Sequence, residues 1–326
     1  MKLGLFLSSQ YEPSADLARG VASTLEQART AEELGFDSLF VGHHYLARSA
    51  FLQPTSLLAH LAAVTERITL GFGVLLAPLW NPVVLAEELA TIDVLSGGRL
   101  VAGLGTGYRE VEYQAAGVDY AERYRRLERD VGLLRELWSG QPVEVDEPDV
   151  QLRSAQLNLS PVQPGGPPIW LGAFGPVGIR RAARLDTVWL MPPSGTPKEL
   201  AELLATFRSH LDDLDLSRQR PYPVMREAFV APSREEAVAL AGPYLEAQYA
   251  GYRNWQHGLD LEGLLDGPAL VGSPDDVLRQ LERYRDQAGV TDVIVRTGWM
   301  GMDDAPVRRS IELLGGEVLP RLGDTR

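Results

Sequence analysis

The feature that most constrains this chain is a series of short apolar runs, each long enough for one strand and each followed by a segment with helical spacing. The runs are Leu3 to Leu7, Ser38 to Val41, Thr69 to Val74, Leu100 to Gly103, Ile169 to Leu171, Thr187 to Met191, Val224 to Val230 and Asp292 to Arg296. Most are continuously apolar, the pattern of parallel strands covered on both faces. Ala15 to Leu34 carries apolar residues at helical spacing and stops at Gly35, a residue suited to the left-handed cap that ends a helix. Val83 to Leu95 repeats the device and closes on Ser96-Gly97-Gly98. Repeated strand-helix units predict an α/β fold, a closed (β/α)8 TIM barrel in preference to an open doubly wound sheet, because closure leaves no strand edge exposed. The 326 residues are read as one barrel domain, 1–326, with insertions after strands four and seven. These are the proline-rich Ser139 to Pro168 and the stretch Ser233 to Pro274, which holds Tyr244, Tyr249, Tyr252, Trp255 and His257.

Composition removes several function classes. With 45% hydrophobic and 23% charged residues the chain has ample material for a large core, so global disorder is not expected. A formal net charge of −13 repels nucleic acid and anionic membranes. The densest basic stretch, from Arg123 to Asp130, mixes both signs and reads as a solvated helix face. Cysteine is absent, which excludes disulfides, thiolate metal sites and a cysteine nucleophile. The apolar start Met1 to Leu7 is too short for a signal peptide, and no run approaches the ~20 apolar residues of a membrane span, so a cytoplasmic location is expected.

Chemistry is expected at the carboxyl ends of the strands, where barrels gather their catalytic groups. His43 and His44 stand just past strand two. Consecutive residues of extended backbone point to opposite faces, so the pair does not chelate one metal, and no metal site is expected. One imidazole faces the pocket, where it can move a proton, and the other packs away. Gly103-Leu104-Gly105-Thr106-Gly107 has its third glycine one residue early for a dinucleotide fingerprint, and reads as a tight loop that brings backbone N–H groups to a ligand. Gly172, Ala173, Gly175 and Gly178 follow strand five and open a helix through Ile179 to Ala183, a recipe for binding phosphate, with Arg180 at hand. Phe6, Trp80, Met191 and Trp299 are the candidates to line an apolar substrate pocket. Arg99 begins strand four at the opposite rim and is expected to pair with Asp93 or Glu87. The stripe Leu57, Leu58, Leu61 and Ala62 suits either a subunit interface or the core.

Gly35-Phe36-Asp37-Ser38-Leu39-Phe40-Val41-Gly42-His43-His44 resembles the bacterial-luciferase-like family, in which strand two runs from a Gly-Phe-Asp turn into a histidine-bearing loop. Leu85 through Leu100, Gly103 to Gly107 and Glu317-Val318-Leu319-Pro320 match the same family, and the ordered set covers essentially the whole chain. The resemblance implies redox chemistry on a bound flavin or deazaflavin. It puts His43 at the position of the catalytic histidine, although Gly42 stands where the luciferases carry glutamate. It also implies a non-proline cis peptide between Gly73 and Val74 behind the ring system, and flavin contacts from Thr106 and Tyr108. Thr106 replaces an arginine of the luciferases, and Gly175 and Gly178 replace phosphate-binding hydroxyl residues, leaving backbone donors.

The activity so implied is a two-component monooxygenase: a flavin reductase supplies reduced FMN, and O2 is used to oxidise a small apolar organic substrate. The alternative is hydride transfer with the deazaflavin F420, although Tyr108 stands where F420-dependent glucose-6-phosphate dehydrogenases carry an acid. A non-catalytic flavin-binding protein is a further alternative. A metal-dependent hydrolase fits poorly, because strand one ends Leu7-Ser8-Ser9-Gln10 without a His-x-His pair. Members of the family are commonly dimers, so a homodimer or higher homo-oligomer is expected.

Overall fold

Parallel pairing follows directly from strands that are apolar on both faces. The computed structural model describes residues 1–250 and 260–323. Its main sheet contains β1 (Lys2–Leu7), β2 (Ser38–Val41), β3 (Thr69–Phe72), β4 (Leu100–Gly105), β5 (Ile169–Gly172), β6 (Val188–Leu190), β7 (Pro223–Val230), β8 (Leu270–Gly272) and β9 (Asp292–Arg296). The order is β6-β5-β4-β3-β2-β1-β9-β7-β8, with every neighbour parallel. The sheet curls, and one parallel bridge, Met191 opposite Val224, brings the end of β6 against β7, where the Met191 N–H donates to Pro223 O at 3.0 Å. The strands begin and end within two residues of the expected runs, and β8 was not anticipated.

The helices are α1 (Leu17–Glu33), α2 (Pro54–Val64), α3 (Pro82–Ser96), α4 (Glu110–Ala116), α5 (Arg123–Trp138), α6 (Gly175–Arg184), α7 (Pro197–Asp213), α8 (Arg234–Ala250), α9 (Leu261–Asp266), α10 (Pro274–Ala288) and α11 (Asp304–Leu313). None is long and apolar enough to cross a membrane among the described residues. Local chemistry explains their limits. Asn81 accepts from the Val83 N–H at 2.9 Å to start α3, and Gly97, at φ 66°, ends it in the left-handed region that favours glycine. Ser273 and Asp276 form a reciprocal capping box on α10.

Strand alternation sorts the apolar residues into two layers. Leu3, Leu5, Leu7, Leu39, Val41, Leu70, Leu104, Leu171, Val293 and Val295 belong to the main core that joins sheet to helices. Phe40, Val101, Trp170, Leu190 and Ile294 form a separate cluster with Phe6, Val74, Val188 and Met225, which fills the inside of the curl. Phe40 stacks on Trp170 there, with ring centroids 5.4 Å apart.

Three expectations are corrected. The third run stops as a strand at Phe72, and Leu75–Leu76 pairs with β4 on its own after the chain leaves the ladder. The insertions are not bare loops: Val143–Glu147 and Val150–Ala155 form an antiparallel hairpin after strand four, and α8, α9 and β8 follow strand seven. Tyr252, Trp255 and His257 lie outside the described residues. Arg99 pairs with neither Asp93 nor Glu87. It donates to the carbonyls of Ala62, Thr65, Ile68 and Ser96, because the ends of α2 and α3 and the turn before β3 present acceptors, while Asp93 accepts from Gln163. The stripe Leu57, Leu58, Leu61 and Ala62 is buried within the chain, at 6% exposure or less, and so serves the core.

Candidate active site

The two histidines part at the end of β2 into different surroundings. His43 is 3% exposed, and its Nδ1 accepts a hydrogen bond from the Leu76 N–H at 3.1 Å. An accepting Nδ1 places the proton of the neutral ring on Nε2. That Nε2 is buried and has no hydrogen-bond partner among the described residues. Burial pushes the His43 pKa down to about 4, so the ring is neutral across the physiological range. Tyr45 meets it edge-on with centroids 4.5 Å apart, and the Trp80 ring lies at 6.5 Å. The indole Nε1 of Trp80 is a second buried donor without a partner among the described residues.

His44 keeps 25% of its side chain exposed and sets Nδ1 2.9 Å from Glu112 Oε1. Glu112 is fully buried on α4, and the same oxygen accepts from the Tyr45 N–H at 3.0 Å and Arg109 Nη1 at 3.0 Å. Burial alone would raise this carboxyl. The hydrogen bond and charge of His44, the Tyr45 amide and Arg109 together hold it below the ordinary carboxylate range. Arg109 also donates to Tyr45 O at 2.7 Å and Leu46 O at 2.9 Å, which fastens the histidine loop to the start of α4.

Beside the histidines, the peptide bond between Gly73 and Val74 is cis. The Val74 side chain fits between β4 and β5, where a Cβ on Gly105 would sit 2.6 Å, and one on Gly172 2.9 Å, from its methyl groups. Glycine at both positions is therefore a matter of space. Thr106 Oγ1 donates to Gly107 O at 3.2 Å, while Tyr113 donates its hydroxyl proton to Thr106 O. The Tyr108 ring stands edge-on to His44, with centroids 5.8 Å apart. At the start of α6, Gly175 adopts φ 65°, and no side chain caps the helix, so the first-turn amides of Gly175, Val177 and Gly178 are uncapped. Phe174 and Val177 beside them are 60% and 71% exposed. Ala173 is instead buried, with its carbonyl accepting from the Trp189 indole at 3.0 Å.

The strands on the far side of β1 carry charge. Glu227 on β7 lies directly across from Arg296 on β9, both past the inner apolar cluster, and the two form an ion pair. Trp299 Nε1 donates to Glu227 Oε2 at 2.8 Å, and the Tyr249 hydroxyl lies 3.4 Å from its Oε1. Phe6 faces the mouth: a Cβ on Gly42 would meet its ring at 3.1 Å. Met191 does not join these residues, since alternation turns it outward into the main core at 1% exposure. A surface cleft between Arg135, Gly166, Ile169, Asp186 and Arg220 lies at the opposite rim, with its guanidinium groups taken up by the carbonyls of Leu185, Asp186 and Thr187.

The pattern that defines the luciferase-like monooxygenase family matches residues 1–292. The chain belongs to that family. This luciferase-like protein is 30% identical, over 94% of its length and 98% of the relative's, to an F420-dependent glucose-6-phosphate dehydrogenase of Nocardia farcinica. It is 25% identical, over 93% of its length and 90% of the relative's, to the oxygenase component of a flavin-dependent trigonelline monooxygenase of Acinetobacter baylyi. Its fold superposes on the monooxygenase RslO1 of Streptomyces bottropensis with a TM-score of 0.90 at 24% identity, covering 99% of this chain and 100% of that one. The luciferase-like family thus includes both flavin-dependent monooxygenases and F420-dependent oxidoreductases, and this member is an enzyme of that broad class.

Four polar residues of the luciferase-like site were not anticipated. Glu227 and Arg296 left a readable signal, opposite charges at inward positions near the ends of two strands. Glu112 and Arg109 left none, because Arg-Glu-Val-Glu at a helix start reads as solvated surface and only tertiary packing buries the second glutamate.

Proposed function

We propose that this protein is the oxygenase component of a two-component monooxygenase, using reduced FMN from a separate reductase and O2 to oxidise a small apolar organic substrate. The observation that carries the reading is the pair of buried donors, His43 Nε2 and Trp80 Nε1, that have no hydrogen-bond partner among the described residues, near the Gly73–Val74 cis peptide, with the uncapped start of α6 further along the same rim. A ring system rich in acceptors and ending in a phosphate fits that donor set. When bound, the flavin would supply the redox chemistry with O2. Gly73, Val74, Gly105 and Gly172 would form the shelf behind the ring, and Thr106 and Tyr108 its side. Backbone amides of Gly175 and Gly178, with Ala173 shaping the turn and Arg180 near by, would hold the phosphate. His43 would act as a neutral donor from Nε2 to an oxygen of the bound ring or substrate. Phe6, Trp80 and Trp299 would exclude water from the reacting atoms. We read residues 1–326 as one (β/α)8 barrel carrying this site.

F420-dependent hydride transfer is the second reading, favoured by the 30% identity to an F420-dependent dehydrogenase over nearly the whole chain. Parallel titrations with reduced FMN and with F420, followed by O2 consumption with an apolar substrate panel, separate the two. FMN binding with O2-dependent turnover is the expected result, and binding of F420 alone would transfer the assignment to the second reading.

A further inference from the structure

The register of the sheet puts four side chains in one row across the inside of the curl. Glu227 on β7 lies across from Arg296 on β9, Arg296 across from Phe6 on β1, and Phe6 across from Phe40 on β2. Neighbours in a parallel register share a face, and Phe40 belongs to the inner cluster, so the whole row points inward. One half of the row is a closed ion pair and the other half is aromatic. The cis peptide lies over the aromatic half: a Cβ on Gly73 would sit 3.3 Å from the Phe6 ring and 3.2 Å from Sδ of Met225, two residues before Glu227 on the same face.

The carboxylate of Glu227 is already crowded with donors. Arg296 donates from Nε to Oε2 at 2.9 Å and from Nη2 to Oε1, Trp299 Nε1 donates to Oε2 at 2.8 Å, and the Tyr249 hydroxyl donates to Oε1 at 3.4 Å. These donors come from β9, the loop after it and α8, and they gather on a residue that is 7% exposed. Arg296 keeps 22% of its side chain exposed and interacts further with its surroundings. The pair is neutral as a unit and sits in apolar surroundings. A carboxylate entering this row would have to share Arg296 with Glu227, and an ammonium would have to share Glu227 with Arg296. Either brings an uncompensated charge to a place where desolvation is costly, and a neutral polar group brings none.

We infer that this ion pair fixes the charge class of the substrate: the site takes neutral organic molecules, carbonyl compounds included, and Glu227 keeps carboxylates out by occupying Arg296. Glu227 is thus a specificity-determining residue, and removing its charge uncovers a cation in the row. The inference rests on the reading of this mouth as the substrate pocket, and not on which cofactor serves it.

Titrations of the flavin-free full chain at neutral pH with two matched pairs of probes test it: acetophenone against benzoate, and 2-acetonaphthone against 2-naphthoate. The readout is the indole 15N–1H signal of Trp299, identified through W299F. In the wild type each ketone is expected to move that signal with an affinity at least about tenfold above that of its carboxylate. In E227Q the carboxylates are expected to gain about tenfold, while the ketones stay within about threefold of the wild type. In E227Q/R296Q the gain is expected to vanish, which assigns it to the guanidinium and not to a loosened pocket. Equal binding of ketones and carboxylates by the wild type, a comparison that holds even where a variant fails to fold, would overturn the inference. So would an unchanged carboxylate affinity in folded E227Q, or a gain that survives in E227Q/R296Q. A Trp299 signal that no probe moves would remove this row from the pocket and overturn it as well. Failure of FMN to bind in a separate titration would remove the monooxygenase reading and leave the probe result standing, so the two are distinguishable.

Discussion

At the scale of single residues, the buried neutral state of His43 ties stability to pH. The pKa is about 4 in the folded protein and near 6.5 in the unfolded chain, so between those values the unfolded state binds more protons and folding weakens as pH falls. The full effect amounts to about 3 kcal/mol, lost progressively between about pH 6.5 and 4. Urea unfolding of the wild type and H43Q across that window should show the wild type losing the larger share, and parallel curves would refute the assignment. Turnover in H43Q should fall by roughly 10² or more, if the Nε2 donor acts on the reacting group. The Glu227 and Arg296 pair makes the opposite point about legibility. Each charge was visible as an inward residue of its strand, but their partnership depends on the register that sets residue 227 across from 296.

At the scale of elements, the first turn of α6 and the Val74 shelf each give a test. Replacing exposed Val177 with aspartate puts a negative charge at the positive end of the helix. That should stabilise the helix by about 0.3–1 kcal/mol. Affinity for FMN should nevertheless fall about tenfold through repulsion of the phosphate, with riboflavin affinity unchanged. Equal losses for the two ligands would show that the phosphate lies elsewhere. Gly172→Ala brings a Cβ against Val74 and should cost about 1–3 kcal/mol of unfolding free energy. V74A should recover part of that in the double variant, because the two sites touch. Most elements were legible because periodicity and caps agree: Gly35, Gly97 and the continuous runs mark helix ends and strands within a residue or two. The hairpin Val143–Glu147 with Val150–Ala155 escaped notice because its strands are short and charged, and β8 because three residues carry no period.

At the scale of the whole molecule, the curl is held unequally. β1 pairs with β9 over the register Lys2↔Asp292 to Phe6↔Arg296, whereas β6 meets β7 through the single bridge at Met191. Hydrogen exchange should therefore open the β6–β7 seam first, with the Met191 amide exchanging well before those of Leu5 and Val295. Protection of Met191 equal to theirs would show that the seam is not the weak line. The pairing of β1 with β9 has a consequence for synthesis. The first six strands lie side by side in chain order, but the free edge of β1, with its row of backbone N–H and C=O groups, waits for a partner that begins at Asp292. Throughout translation of the intervening chain that edge stays open to any other extended segment. Nascent chains stalled before Asp292 should accordingly be retained by chaperones, and those stalled well beyond Arg296 released.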